Sequence, residues 1–490
     1  MAQPPLKTND EGAPAVQGAS GLGEDLANVK AIKAAPGISL GQLHGTVAIP
    51  PISRGFVRTW WAFVGPAILI SVGYMDPGNW STDLAGGAQF QYQLLWVVAL
   101  SSAMAVILQI CAAKLGVATG RDLAQLSHDR FWKWTRLPNW ISAEIAIAAC
   151  DLAEALGSAL AINLLFGIPL FWALIITAFD VVLLLTLQGI GVRMIEAIVT
   201  VLVLTIGVCY IIEIFILPAT HPDMAAVARA TFAPNLKTFF AHRDMLFVAM
   251  GIIGATVMPH NLYLHSALVQ SRRLQADDAS IRRAIKYNTL DCVLALTAAF
   301  VVNAAILVLA GLVFFGKTGA TLPDGRHIVF TGDSDWIRVA FLTLTPLLGA
   351  GVASLLFAVA LLASGQSSTI TGTLAGQVVM EGFMNWRIRP WVRRLFTRVL
   401  AIVPAILLVA FSHKPNINNL LNLSQVLLAI QLPLAMVPLM IFTSSRKVMG
   451  VHRNGWFLML TGWACCIIIT GLDIYGLPSA IHDALAIFHG

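Results

Sequence analysis

Long apolar runs dominate the chain from about residue 57 onward, and most of them are long enough to cross a lipid bilayer. A membrane-spanning helix needs about 20 predominantly apolar residues. Charged residues make up only 11% of this sequence, whereas a soluble domain carries about 25%. Because lipid offers no hydrogen-bond partners, each run must satisfy its backbone polar groups internally, as a helix does. The sequence therefore predicts an all-α polytopic membrane protein.

The apolar runs divide into about 11 predicted transmembrane helices between two tails. Residues 1–55 are rich in Ala, Gly, Pro and polar residues and are predicted to form a disordered cytoplasmic tail. A membrane domain over residues 56–476 follows, and residues 477–490 are predicted to be a short C-terminal tail. The predicted spans are residues 57–91, 93–116, 140–166, 169–188, 192–217, 243–271, 285–315, 337–370, 396–412, 417–443 and 455–475.

Lys and Arg concentrate in the loops on one side of these predicted spans. One such loop alone contains Arg272, Arg273, Arg282, Arg283 and Lys286. Cytoplasmic loops of membrane proteins carry an excess of Lys and Arg. The asymmetry predicts a cytoplasmic N-terminus and, with an odd number of spans, an extracytoplasmic C-terminus. It also accounts for the net charge of +6 without a nucleic-acid partner.

Two of the apolar runs are interrupted by proline. The first interruption reads Gly-Tyr-Met-Asp-Pro-Gly-Asn over residues 73–79, and the second reads Gly-Ala-Thr-Val-Met-Pro-His over residues 254–260. Pro77, followed by Gly78, and Pro259 each remove a backbone donor and clash with the preceding turn, so each predicts a helix break. Such a break is tolerated in lipid only where the freed backbone lines a protein cavity. We therefore predict that the two breaks face each other and hold an ion.

The two breaks fall in the first and sixth predicted spans, an offset of five helices. Transporters built from two inverted five-helix repeats place their broken helices at corresponding positions, with the substrate near the midplane. The offset predicts a five-plus-five inverted-repeat (LeuT-like) transporter fold with broken helices 1 and 6. Repeat one would cover about residues 57–217, repeat two about 243–443, and about 455–475 would be an accessory helix. The two halves share no obvious residue-level similarity.

Side chains at the breaks supply metal ligands of different hardness. Asp76 and Asn79 offer two hard oxygens, which alone suit Mg²⁺, Ca²⁺ or Mn²⁺ equally. The thioether of Met258 is soft and favours transition metals, and freed carbonyls near Gly73 and Ala255 can add oxygens. The set predicts Mn²⁺ or Fe²⁺, with Cd²⁺ as a mimic. The alternatives are that the carboxylate only caps the second half-helix and that the methionine only packs.

The third predicted span contains three acids. Glu144, Asp151 and Glu154 are spaced by seven and three residues, so they lie near one helical face. Acids within a membrane helix are costly unless they line a polar route or are paired. We predict a proton path, with salt bridges to other helices as the alternative. Candidate basic partners lie on the ninth predicted span: Arg393, Arg394 and Arg398.

The two breaks resemble a known family. Asp76-Pro77-Gly78-Asn79, with Ala88-Gln89-Phe90 downstream, resembles the first helix of Nramp-type divalent-metal transporters, and residues 254–266 resemble their sixth helix almost letter for letter. The resemblance covers roughly residues 55 to 475. It implies that Asp76, Asn79 and Met258 bind metal together with the carbonyl at Ala255, and that metal entry is coupled to protons.

The resemblance also bears on residues away from the breaks. It implies that the acids of the third span carry the proton, and that the position of His260 tunes protonation and conformational change without binding metal. Histidine titrates near neutral pH, so His265, one turn further, is a second candidate relay, although either ring can be purely structural. Gln425 on the tenth span is implied as an extra oxygen ligand in one conformation. Interhelical hydrogen bonding is the equal alternative for this glutamine.

These features predict a proton-coupled importer of Mn²⁺ or Fe²⁺, and of Cd²⁺, that works by alternating access. The alternatives are a Mg²⁺ transporter of the same family and a non-transporting metal sensor. Both are disfavoured, because the Mg²⁺-transporting branch lacks the methionine and the signalling relative carries a large C-terminal domain. No nucleophile–base pair, C-x-x-C motif or Walker motif is present. The expected partners are divalent metals, protons and the bilayer of a bacterial inner membrane. Neither enzymatic activity, a resident cofactor nor an obligatory protein partner is expected.

Overall fold

The computed structural model describes residues 44–49, 56–179, 192–212, 222–275, 277–322, 325–332, 334–348, 353–386, 388–411 and 417–489. Most of the described residues are helical. A short antiparallel ribbon of β1 (Gly319–Thr321) and β2 (His327–Val329) lies in one loop. Most of the predicted tail of residues 1–55 and the end of the fourth predicted span, residues 180–188, lie outside the described residues.

The first half of the chain contains the segmented first membrane helix and the helices up to the second break. These helices are α1 (Phe56–Phe63), α2 (Pro66–Gly73), α3 (Pro77–Phe90), α4 (Leu95–Thr119), α5 (Leu123–Arg130), α6 (Lys133–Phe166), α7 (Leu170–Ala178), α8 (Val192–Ile211), α9 (Met224–Phe232), α10 (Leu236–Ala241) and α11 (Arg243–Val257).

The second half begins just after the second break. Its helices are α12 (Pro259–Leu268), extended by a 3-10 turn (Val269–Ser271), then α13 (Asp278–Val313), α14 (Trp336–Leu348), α15 (Ala353–Met384), α16 (Pro390–Phe411), α17 (Ile417–Ser444), α18 (Arg446–Met449), a second 3-10 turn (Gly450–His452) and α19 (Trp456–His489).

The long helices follow most of the predicted spans. Within the described residues, seven helical segments are long and apolar enough to cross a membrane: α4, α6, α11 with α12 (Arg243–Ser271), α13, α15, α17 and α19 up to Pro478. The other predicted spans correspond to the segmented α1–α3 and to α7, α8 and α16. The chain is an integral membrane protein with several membrane-spanning helices.

Two predicted boundaries differ from the structure. The eighth predicted span, residues 337–370, covers α14 and the first part of α15, with residues 349–352 between them outside the described residues, and α15 continues beyond the predicted end to Met384. The last helix, α19, continues to His489 through residues that were predicted to be a short C-terminal tail.

The half-helix α3 is held in the bundle by close packing on α13. The Cβ of any larger residue at Gly87 would overlap the Leu307 carbonyl oxygen and lie 2.7 Å from the Ala310 Cβ. Both contacts belong to α13, so the glycine sets the distance between these two helices. Trp80 and Leu84, two apolar residues of α3, are almost fully buried.

We expect Gly87→Ala to lower the free energy of unfolding by about 1–3 kcal/mol, because an overpacked core must shift or strain. Gly207→Ala on α8 is the matched control, since no described atom lies within 4 Å of the position its Cβ would take. There the better helix propensity of alanine should leave stability equal or about 0.5–1 kcal/mol higher. Thermal unfolding in detergent measures both, and equal midpoints for the two variants would contradict the packing argument.

Candidate metal site between two helix breaks

The first break is built around the N-terminus of α3. Helix α2 ends at Gly73 and α3 begins at Pro77, which takes the first helical position where its missing N–H costs nothing. Asp76 is the N-cap, and its Oδ1 accepts a hydrogen bond of 2.8 Å from the Asn79 N–H. Its other oxygen, Oδ2, is buried and has no hydrogen-bond partner among the described residues. Capping therefore occupies one oxygen of the carboxylate and leaves the second available.

Carbonyls freed by the first break are held by side chains from three helices. The Tyr74 carbonyl accepts hydrogen bonds from the Nδ2 atoms of Asn79 and of Asn303 on α13, the second at 2.8 Å. The Met75 carbonyl accepts from Trp80 Nε1 at 3.1 Å and from Ser364 Oγ on α15 at 2.5 Å. These bonds fix the non-helical backbone between α2 and α3 in one conformation.

The second break places a methionine in an unusual backbone conformation. Helix α11 ends at Val257, α12 begins at Pro259, and Met258 between them has a φ of 35°. A positive φ is uncommon for a residue with a side chain and costs on the order of 1–3 kcal/mol. The Sδ atom of Met258 accepts a hydrogen bond of 3.4 Å from Asn261 Nδ2. Met258 and the neighbouring Ala255 are both buried.

The two breaks face each other, as predicted. A Cβ at Gly73 would overlap Asn261 Nδ2 and lie 3.2 Å from Met258 Sδ, so the end of α2 touches the second break directly. Gln425 of α17 fills the remaining space. A Cβ at Gly78 would overlap the Gln425 side-chain amide, and a Cβ at Gly254 would overlap the Gln425 carbonyl oxygen.

Three buried oxygens of this region have no hydrogen-bond partner among the described residues: Asp76 Oδ2, Asn79 Oδ1 and Gln425 Oε1. A buried polar atom without a partner is costly, so such a group of atoms is suited to a cation. The donors would be one carboxylate, two amides and a thioether. The described residues contain no group of three or more His, Cys, Asp or Glu side chains placed to hold a metal. A site here would depend on mixed hard and soft donors.

The acids of the third predicted span lie on α6, below the first break. Asp151 and Glu154 are fully buried, and about one turn after Glu154 a Cβ at Gly157 would overlap the Pro77 ring, so α6 touches the first break there. Arg398 of α16 is fully buried and donates from Nη1 to the Asp151 carbonyl oxygen at 2.9 Å. Glu144 forms a 2.6 Å ion pair with Arg393. The side chain of Arg394, the third basic candidate, lies outside the described residues.

Helix α15 presents glycines to these charged side chains. A Cβ at Gly372 would lie 2.9 Å from Glu154 Oε1 and 3.6 Å from Asp151 Oδ1, and a Cβ at Gly376 would overlap the Arg393 guanidinium. The charged row of α6 and α16 therefore lies directly against the backbone of α15. Salt bridges were the predicted alternative to a proton path for these acids, and Glu144 does form one. An ion pair at Glu144 is compatible with a proton route through the same row.

The two histidines of α12 occupy different surroundings. His260 is buried, and its Nδ1 has no hydrogen-bond partner among the described residues. His265 shares a 2.9 Å hydrogen bond between its Nδ1 and Gln109 Oε1. Gln109 in turn donates from Nε2 to the Tyr74 hydroxyl at 3.0 Å. His265 therefore belongs to a polar chain that reaches the first break.

Comparison with known proteins agrees with this architecture. The family described as "Natural resistance-associated macrophage protein-like", or Nramp, matches residues 67–479. The chain belongs to the Nramp family. It is similar to the "Divalent metal cation transporter MntH" of Listeria innocua, with 49% identity over 437 residues that cover 89% of this chain and 94% of the relative.

Solved structures extend the comparison to the Nramp fold. The Eremococcus coleocola manganese transporter, solved with an aromatic bis-isothiourea substituted compound, is 37% identical with a TM-score of 0.79, over 92% of this chain and 97% of that one. Mhp1, a nucleobase-cation-symport-1 family transporter, has a TM-score of 0.53 at 16% identity, over 86% and 93% of the two chains. The second likeness shows the fold alone. Together they confirm the predicted LeuT-like fold with broken first and sixth helices.

Sequence reasoning missed several polar residues that hold the Nramp site together. Asn303, Asn261, Gln109 and Tyr74 carry no local signal, because a single amide or phenol in an apolar helix does not reveal its partner. Asp291 of α13 accepts hydrogen bonds from the N–H groups of Gly65 and Ala67 at the start of α2. Long-range contacts of this kind follow only from the folded arrangement of the helices.

Proposed function

We propose that this chain imports divalent transition-metal ions, Mn²⁺ first among them, together with protons and by alternating access. One observation carries the proposal: a carboxylate and a thioether lie at two helix breaks that touch each other in the middle of a membrane protein. Support comes from the relatives, one named a divalent metal cation transporter and another a manganese transporter. The same donors disfavour a Mg²⁺ transporter, because a thioether is a poor ligand for a hard ion.

The metal ligands we propose are Asp76 Oδ2, Asn79 Oδ1, Met258 Sδ and the carbonyl of Ala255, with Gln425 Oε1 in the conformation described. None of the three side-chain oxygens has a hydrogen-bond partner among the described residues, which supports this choice. A hydrated ion that reaches the breaks would exchange most of its water for these donors. The carbonyl of Gly73 stays a candidate for the same role, since α2 ends there against Met258.

The proton route we propose runs from Asp76 to Glu154 and on past Asp151 to the pair of Glu144 and Arg393. The burial of Asp76, Glu154, Asp151 and Arg393 supports the route, as does the position of the last three against glycines of α15. Arg398 holds the backbone of α6 at Asp151. His260 would modulate the transfer through Asp151, and His265 would do so through the chain of Gln109 and Tyr74.

The membrane arrangement is part of the proposal. The N-terminus lies in the cytoplasm, the C-terminus outside, and the chain resides in the inner membrane of a bacterium. Repeat one covers about residues 57–217, repeat two about 243–443, and α19 is accessory. A negative interior then drives the metal inward by about 2.3 kcal/mol per charge per 100 mV.

Proteoliposomes with a fluorescent Mn²⁺ reporter inside test this function. We expect uptake to rise when the outside is made more acidic than the inside, and the interior to acidify as Mn²⁺ enters. Glu154→Gln should keep Mn²⁺ entry while reducing its coupled proton flux by at least about tenfold, because the variant removes a titrating group next to Asp76. Asp244→Asn, an exposed acid on α11, is the control. Mn²⁺ uptake that is independent of the pH gradient would contradict proton coupling.

A further inference from the structure

A short segment before the first helix is attached to the end of the sixth membrane helix. Residues 44–49, named the strap here, run parallel to the chain that follows α12, with Val47 paired to Arg272. Gly45 N donates to the Gln270 carbonyl and Val47 N donates to the Ser271 carbonyl, each at 3.0 Å. The Val47 carbonyl then accepts from Arg273 N at 2.9 Å. The two bonds of Val47 therefore bracket Arg272 on both sides.

The side chain of Arg272, the residue that pairs with the strap, extends into the bend between α1 and α2. Its side chain is almost fully buried and pairs with Glu196 of α8 at 2.7 Å. The same guanidinium donates to the carbonyl of Ala62, at the end of α1, at 3.2 Å and to that of Val64, just after α1, at 2.8 Å. The strap thus fixes the backbone of the residue whose side chain holds the end of α1.

The start of α2 is held by the same group of charges. Gly65 has a φ of 137°, which favours glycine, and the Glu196 carboxylate occupies the space beside it. Asp291 of α13 accepts from the N–H groups of Gly65 at 3.3 Å and Ala67 at 3.0 Å. Ile49 of the strap packs on an apolar cluster that includes Ala67 and Cys292. The strap, the bend and α13 therefore form one closed plug at the proposed cytoplasmic end of α2.

We propose that the strap is a regulatory clasp of the cytoplasmic gate, which stabilises the closed position of α2 and is released when α2 moves away from α8 and α13. The inference rests on the proposed alternating-access function, since α2 leads directly to Gly73 and Asp76. The strap precedes the predicted membrane spans, so a partner can bind it, or an enzyme can modify it, without entering the transport path. Loss of the clasp shifts the protein toward the state that is open to the cytoplasm.

Cys292 reports on this gate because it is buried in the cluster beneath the plug. The test uses a variant in which the other cysteines are replaced by alanine, and inside-out vesicles exposed to a water-soluble maleimide. The replaced residues are Cys111, Cys150, Cys209, Cys465 and Cys466. Val47→Pro removes the N–H donated to Ser271, and we expect labelling of Cys292 to become roughly fivefold faster, as loss of one hydrogen bond implies.

Arg273→Ala is a second, milder variant, because Arg273 is exposed and its Nε donates to the Gly45 carbonyl at 3.3 Å. It should raise the labelling rate in the same direction without endangering the fold. Ala48→Ser, on the exposed side of the strap, should label as the parent does. Parental labelling rates in both Val47→Pro and Arg273→Ala would overturn the clasp. Labelling needs no metal, so the two proposals can fail separately. If the parent protein took up no Mn²⁺ while Val47→Pro was still labelled faster, the proposed function would be contradicted and the clasp would stand.

Discussion

Asp76→Asn is expected to lose Mn²⁺ uptake by at least about 100-fold while the protein still folds. Asparagine is as good an N-cap as aspartate, so the side-chain oxygen that accepts from Asn79 N–H is retained and α3 still begins at Pro77. The variant removes the only acid within either helix break. Loss of a residue that merely orients a metal ligand already costs about 10–100-fold in affinity. Removal of a charged ligand should therefore cost at least as much.

The measurement is Mn²⁺ uptake into proteoliposomes, with thermal unfolding of the same preparation as the test of folding. Asp76→Ala should also fail to transport and should be less stable, by about 0.5–2 kcal/mol, because it loses the cap as well. Asp244→Asn removes an exposed acid from the same protein and should transport normally. Normal uptake by folded Asp76→Asn would show that the carboxylate only caps α3 and that the proposed site is wrong.

The sequence was sufficient to predict the two breaks and the side chains that lie at them because the signals are local. Proline inside an apolar run breaks a helix wherever the run is placed, and the side chains next to each proline follow from the sequence alone. The offset of five helices then indicated that the breaks belong together, and the contact of Gly73 with Met258 agrees with that prediction. The double use of Asp76, as a cap with one oxygen and a free acceptor with the other, needed the structure.

Contacts between distant helices could not be predicted in the same way. Gln425 lies between Gly78 and Gly254, and each glycine makes room for it, but the three residues are far apart in sequence. The sequence did not predict the strap, because residues 44–49 pair through their backbone and backbone pairing leaves little trace in composition.

Met258→Ala is expected to keep Mn²⁺ uptake but to lose discrimination against Ca²⁺ and Mg²⁺. Mn²⁺ accepts oxygen ligands readily, so water in the space left by the side chain can replace the sulfur. For Ca²⁺ and Mg²⁺ the thioether is a donor that they bind poorly, and its loss removes the penalty. An excess of Ca²⁺ of about 100-fold should leave Mn²⁺ uptake by the parent nearly unchanged and should strongly inhibit the variant.

Met258→Leu separates the chemistry of the sulfur from its packing. Leucine has a similar volume, so the buried contacts of the second break are largely kept, but it offers no donor and leaves no room for water. Mn²⁺ uptake should therefore fall further in Met258→Leu than in Met258→Ala, the reverse of the order expected if the methionine served only to pack. Unchanged selectivity in Met258→Ala, together with better transport by Met258→Leu, would refute the thioether as a ligand and would leave the oxygens of Asp76, Asn79 and Gln425 as a site for hard cations.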